Sequence, residues 1–323
     1  MFQIIRNFFF SKNPNIYWFQ TLVLLGIAML LVLLYKRQNL SPFYEGFSQD
    51  APFVSKYDQD IYDDFYVQIY DRLFLSDKMG TYIADKVIEM TQPTPDKSVF
   101  LDIGSGTGHV VSHLHDRGYR AYGIDTSKAM VKHSSDKFPD IHIKCGDVME
   151  PMIFEPNTMT HILCTEMTLY QFTNKNKRIF FKNCHHWLMP GGYLAIQLVD
   201  PDTFDTIIPG GKPPLITSPQ QYVSKRITDT IIDFIDFEYK ASYQMDNKET
   251  LLKETFTDGL TKNVRQNEIT LFMESIDTIV AAAKSHGFLL QGLVNLQDGV
   301  IGDKHQYLYV FKKSENLLGY KPV

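Results

Sequence analysis

The stretch Val99-Phe100-Leu101-Asp102-Ile103-Gly104-Ser105-Gly106-Thr107-Gly108 constrains this chain more than any other. A short apolar run ends in glycines at every second position, and Val110–Arg117 continues with helical spacing. Glycine is needed where the backbone takes positive φ or where a ligand must meet bare main chain. The dinucleotide pattern G-x-G-x-x-G sets a pyrophosphate on a helix N-terminus. Its third glycine would fall at position 109, where His109 stands. Asp102, just ahead of the first glycine, repels a diphosphate and suits an ammonium group. The loop therefore points to a ligand with a cationic amino-acid end.

Strands and helices alternate from that loop onward. Ala121–Ile124, Ile141–Cys145, Thr160–Cys164 and Tyr193–Val199 read as strands. Lys128–Lys137 and Lys175–Trp187 read as helices, and Met189-Pro190-Gly191-Gly192 as a tight turn. Such alternation gives right-handed crossovers and a parallel sheet covered on both faces. The expected class is α/β: a Rossmann-like, doubly wound sheet of seven mostly parallel strands. After Asp200 the pattern changes. Phe237–Met245 alternates with period two, and Thr250–Phe256 and Glu268–Phe272 continue it as an antiparallel meander. A helix over 275–286 and strands over 288–295 and 306–312 close the chain. The 200–273 insertion is read as a lid over the site or as a dimer surface, with Pro209–Pro214 as its hinge.

The N-terminus follows other rules. Ile16–Tyr35 carries no charge, with Gln20 and Thr21 its only polar side chains. A helix of that length spans about 30 Å, the thickness of a bilayer's hydrocarbon core. Tyr17, Trp18 and Tyr35 mark its ends and Lys36-Arg37 follow, so a membrane-spanning helix over 16–35 is expected. Residues 38–56 read as a linker and 57–323 as the main domain, which opens with helical spacing over 57–90. The sequon Asn39-Leu40-Ser41 has no counterpart in the main domain, which favours the cytosolic side. Lys+Arg 32 against Asp+Glu 37 gives a net charge of −5 and no broad basic surface for nucleic acid. Cys145, Cys164 and Cys184 show no ligand or disulfide spacing, and no metal site is expected.

Carboxylates stand on successive strand ends. Asp125 closes the second strand, placed for ribose hydroxyls, and Asp147-Val148 follows the third, placed for an adenine amino group. With these residues the chain resembles the class I S-adenosylmethionine-dependent methyltransferases, from about Tyr57 to Lys312. Asp102-x-Gly104-x-Gly106-x-Gly108 resembles that family's first motif, and Pro190-Gly191-Gly192 its late turn. The resemblance implies S-adenosyl-L-methionine as cofactor, held by Asp102, Gly104, Gly106, Gly108, Asp125, Asp147, Val148 and Thr165. It also implies an antiparallel last strand. Phe65-Tyr66-x-x-x-Tyr70-Asp71 is similar to the opening helix of small-molecule members, whose tyrosines close over the cofactor. The family's Asn/Asp-Pro-Pro-Tyr/Phe site is absent; Thr165-Glu166-Met167-Thr168 takes its place. Glu166 and His305 are the candidate general bases, and Tyr66 or Tyr70 a partner for the sulfonium. The expected reaction is methyl transfer to a small-molecule or lipid-like acceptor. A non-catalytic binding module and a protein methyltransferase are the alternatives.

Overall fold

The computed structural model describes residues 14–38, 49, 51–212, 219–245, 249–299 and 303–314. Contacts divide the chain into two compact units, Met1–Ser48 and Gln49–Val323. In the first, α1 (Pro14–Gln38) is a 25-residue helix. Its described side chains run from Trp18 to Leu31 with Phe19 left out. No helix among the described residues is long and apolar enough to cross a membrane. The expected helix over 16–35 lies within Pro14–Gln38. The flanking Tyr17, Tyr35, Lys36 and Arg37 lie outside the described side chains, and the sequon at 39–41 outside the described residues.

In the second unit, the apolar runs form one seven-stranded sheet. Its strands are β2 (Val99–Ile103), β3 (Arg120–Asp125), β4 (His142–Cys145), β5 (Met159–Cys164), β6 (Leu188–Val199), β11 (Phe288–Asn295) and β12 (Gln306–Lys313). The order is β11-β12-β6-β5-β2-β3-β4. The β4-β3-β2-β5-β6 pairings are parallel, and β12 runs antiparallel to both β6 and β11. The helices α3 (Ser76–Thr91), α4 (His109–Asp116), α5 (Lys128–Lys137), α6 (Asn174–Trp187) and α7 (Ile276–Ser285) flank it. Phe100, Leu163, Ala195, Leu308 and Val310 of the sheet are buried with Val111 and Leu114 of α4. Each large side chain so buried contributes about 1.5–3 kcal/mol. The expected Pro-Gly-Gly turn is a wide bulge within β6. Met159 pairs with Leu188 and His161 with Tyr193, so Met189–Gly192 loops out of the ladder. A Cβ on Gly192 would lie 2.9 Å from the Met189 carbonyl, so only glycine fits.

The predicted helical region 57–90 is broken. A 3₁₀ turn at Asp58–Ile61 precedes α2 (Asp64–Phe74), and Leu75 at φ 53° separates α2 from α3. Asp63 starts α2 by accepting from the Tyr66 amide at 3.1 Å.

The insertion builds a second sheet. β7 (Asp229–Asp233), β8 (Phe237–Met245), β9 (Thr250–Asp258) and β10 (Val264–Leu271) form an antiparallel meander. Its edge is closed by β1 (Phe53–Tyr57), parallel to β10. The end of the expected linker is therefore a strand. It is held by register with β10 from Phe53↔Val264 to Tyr57↔Glu268. The buried face of the meander packs Phe237 and Phe256 on Phe65 of α2, at centroid distances of 6.2 and 5.3 Å.

Candidate active site

The loop after β2 is pinned to the end of β3. The amides of Gly104 and Ser105 donate to the Ile124 carbonyl at 2.9 and 3.1 Å, and the Gly106 amide donates to Asp125 Oδ2 at 2.9 Å. Gly104, Gly106 and Gly108 have φ of +69°, +49° and +85°, the left-handed region that side chains resist. Their roles differ. A Cβ on Gly106 would meet open space, while one on Gly108 would strike Ser134 at 2.9 Å and Ile141 at 3.0 Å. Gly106 thus leaves backbone bare for a ligand, and Gly108 lets α4 start against its neighbours.

A first cavity of about 610 Å³, partly open to solvent, lies at these strand ends. Gly104, Gly106, Asp125, Asp147 and Val148 line one side, and Tyr62, Tyr70 and Gln171 the other. Asp102, Gly108 and Thr165 line neither this cavity nor the second one. Thr165 is buried, its carbonyl accepting from the Thr168 amide at 3.0 Å.

Asp102 is 2% exposed, and its Oδ1 has no hydrogen-bond partner among the described residues. Burial, with repulsion from Glu166 and Asp125, holds its carboxyl well above the usual carboxylate range. Burial also raises Asp125, against the two amide hydrogen bonds it accepts from Ser127 and Gly106. Three acids converge here, and an unsatisfied buried carboxylate is costly without a cationic partner. The residues that line the first cavity fit S-adenosylmethionine: bare main chain at Gly104 and Gly106, with the Asp125 and Asp147 carboxylates beside it.

A second cavity of about 810 Å³ adjoins the first. Tyr62, Tyr70 and Gln171 line both. Glu166, Gln197 and Gln306 add polar groups, and Tyr243, Leu252, Ile269 and Leu271 of the meander form a wall. The insertion thus covers this cavity. Pro209 reaches it too, but the neighbouring Gly210 is packed against the backbone of Arg72 and Leu73. The expected hinge is wedged at that point, and its remainder, 213–218, lies outside the described residues.

Glu166 Oε2 accepts from Ser76 Oγ at 3.0 Å, with the Tyr70 hydroxyl at 3.5 Å. Its amide donates to Gln197 Oε1 at 2.9 Å, and Gln197 in turn donates to Gln306 at 2.7 Å. Burial pushes the Glu166 carboxyl up to about 7, against the opposing Ser76 hydrogen bond. Burial and the Glu166 charge keep the Tyr70 phenol neutral. Glu166 and Tyr70 are therefore brought together. His305 is not: it lines a separate surface cavity with Asp202, Arg226 and Asp303. Its neighbour Gln306 faces the second cavity instead.

Sequence reasoning missed Tyr62, Ser76, Gln171 and Gln197. Tyr62 had a visible signal, since Tyr62, Tyr66 and Tyr70 repeat every fourth residue. Gln171 donates to the Tyr62 hydroxyl at 2.9 Å, and Gln59 joins Gln171 to Thr126 above the first cavity. Asp71 ties α2 to the loop, taking Thr107, His109 and Lys137 at 2.5, 2.9 and 2.7 Å. Burial would raise this carboxyl, but those hydrogen bonds hold it well below the usual range. His161 and His185 lie outside both cavities, each held near 4 by burial.

The sheet order and the glycine loop are those of a methyltransferase domain, and the site fits S-adenosylmethionine. Residues 100–192 match a family model described as a methyltransferase domain. An uncharacterized methyltransferase of Alkaliphilus oremlandii (strain OhILAs) is 30% identical over 109 residues. That match covers 33% of this chain and 45% of the relative, so the chain spans less than half of that protein's length. A phosphoethanolamine N-methyltransferase of Plasmodium falciparum (isolate 3D7) is 26% identical over 234 residues, 65% of this chain and 85% of that protein. The crystal structure of an S-adenosylmethionine-dependent methyltransferase from Clostridium acetobutylicum ATCC 824 superposes with a TM-score of 0.59 at 17% identity. It covers 78% of this chain and 98% of that one, a likeness of fold.

Proposed function

We propose that the chain transfers a methyl group from S-adenosylmethionine to a small-molecule or lipid-like acceptor held in the second cavity. The observation that carries this reading is the shared wall: Tyr62, Tyr70 and Gln171 line both cavities, with Glu166 beside them. When bound, S-adenosylmethionine supplies a methyl on a sulfonium, which leaves as a neutral thioether once the acceptor's lone pair takes the methyl. The main chain at Gly104 and Gly106 and the Asp125 carboxylate hold and orient. Alignment of this kind is worth up to ~7–11 kcal/mol of barrier in favourable intramolecular cases. Glu166 takes the acceptor's proton on a carboxylate oxygen, its raised pKa suiting it to neutral pH. The meander excludes water from the acceptor. The apolar lining of the second cavity, with a few polar groups among Phe74, Met79, Ile207 and Leu252, is that of a small-molecule site, which favours such an acceptor over a protein side chain.

The tether belongs to the same proposal. The uncharged run 16–35 and the exposed Leu22, Leu24, Leu25, Met29, Leu30 and Leu31 of α1 support a membrane-held protein with its main domain on the cytosolic side. The deciding experiment is tritiated-methyl transfer by the full chain onto small-molecule, lipid and protein fractions, with Asp125→Ala as control. Label is expected in a small-molecule or lipid fraction and lost in the control. Label confined to protein overturns the reading.

A further inference from the structure

We infer that the second cavity takes an amine with an apolar body and no phosphate or other anionic group. The inference rests on the methyl-transfer reading above and names the acceptor class for it. Three tyrosine rings stand at the junction, Tyr62, Tyr66 and Tyr70, with centroids 5.7 to 6.4 Å apart. Aromatic rings attract ammonium groups, more so when water is excluded. The charged side chains that line the cavity are acidic. Glu166 stands on the wall. Behind Tyr66 lies Glu254, fully buried, accepting from Tyr66 and Tyr239 at 2.8 and 2.7 Å. Asp205, also on the wall, is paired with Lys212 at 2.8 Å.

No lysine or arginine lines the cavity among the described residues. The segment 213–218, Pro-Pro-Leu-Ile-Thr-Ser, contains none in its sequence. A phosphate brought here would meet Glu166, with Lys212 engaged by Asp205, so like-charge repulsion and desolvation both oppose it. The remaining wall is apolar, with Phe74, Met79, Ile207 and Leu252. It suits hydrocarbon and offers no guanidinium fork for an anion.

The proton balance follows. An entering ammonium gives one proton to the Glu166 carboxylate and becomes a neutral amine. Its nitrogen lone pair then forms the bond to the methyl carbon as the carbon–sulfur bond breaks, and that electron pair stays on sulfur. The product is a methylated ammonium and a thioether.

Calorimetric titration of the full chain tests this in two stages. S-adenosylhomocysteine is titrated first, and its failure to bind ends the methyl-transfer reading and this inference with it. With that ligand saturating, phenethylamine, phenethyl alcohol and phosphoethanolamine are then titrated separately. Phenethylamine is expected to bind at least tenfold tighter than the alcohol, and phosphoethanolamine to bind weakest of the three. Glu166→Gln is expected to reduce the preference for amine over alcohol at least threefold. Equal binding of amine and alcohol, or tighter binding of phosphoethanolamine, overturns the inference while leaving the methyl-transfer reading standing.

Discussion

Glu166 and Met167 adopt φ of 50° and 66° in succession, a conformation that side chains other than glycine resist. Each such residue stores about 1–3 kcal/mol, kept only where surroundings over-determine it. Here the Gln197 side chain holds the Glu166 amide and Ser76 holds its carboxylate. The groups that face it are Tyr70 and Asp71 of α2, Ser76 of α3 and His109 of α4. With its pKa up at about 7, Glu166 is mostly protonated below that pH and a base above it. Methyl transfer should therefore rise with pH through about 7. Glu166→Gln should flatten that limb and lower kcat by about 10²–10⁴. Stability moves the other way. A carboxyl whose folded pKa exceeds the unfolded ~4.3 stabilises most below that value. This contribution is lost as pH rises through about 7. Glu166→Gln should then raise Tm at pH 8 while kcat falls, a pair of readouts that a merely structural role would not produce.

At the level of elements, the parallel sheet was legible because its strands are buried apolar runs separated by helices, a pattern local to each segment. The glycine loop and Asp125 were legible for the same reason, since strand ends fix where a side chain stands. His305 was placed on the correct rim but on the wrong side. His305 precedes β12 and lines a separate surface cavity, while Gln306, the first residue of β12, meets the second cavity. Thr165, one residue before Glu166, lines neither cavity. β1 was illegible, because Phe53–Tyr57 has no stable partner near it in sequence and pairs only with distant β10. The joint between α2 and the meander is similarly non-local. Arg265 of β10, 5% exposed, donates to both Asp63 oxygens at 3.0 and 2.8 Å and to the Ile61 carbonyl at 2.9 Å. Asp63 also caps α2. Hydrogen bonds to charged groups contribute about 1.5–3 kcal/mol. Arg265→Ala should accordingly cost about 2–4 kcal/mol in urea unfolding, read as a lower midpoint at constant slope. An unchanged midpoint would mean that the meander docks on α2 through Phe65, Phe237 and Phe256 alone.

For the molecule as a whole, the described lining residues of both cavities fall after residue 48, within the unit Gln49–Val323. If the proposed tether holds, the first unit serves location and leaves the two cavities unchanged. A membrane tether raises the effective concentration of membrane-resident acceptors without altering the pocket. Two truncations separate these roles. A chain of residues 49–323 should bind S-adenosylhomocysteine within about twofold of the full chain. It should also stay in the supernatant after alkaline carbonate extraction of cell membranes, where the full chain sediments. A chain starting at residue 58 loses β1, and with it the five register pairs that cover the open edge of β10. Backbone hydrogen bonds contribute about 0.5–1.5 kcal/mol each, so this shorter chain should lose roughly 2–4 kcal/mol relative to 49–323. β10 carries Arg265, which holds Asp63 at the head of α2, and α2 supplies Tyr66 and Tyr70 to the second cavity. Acceptor binding should therefore weaken more than S-adenosylhomocysteine binding when β1 is removed. Equal loss of both would show that the meander and the glycine loop rise and fall as one cooperative body.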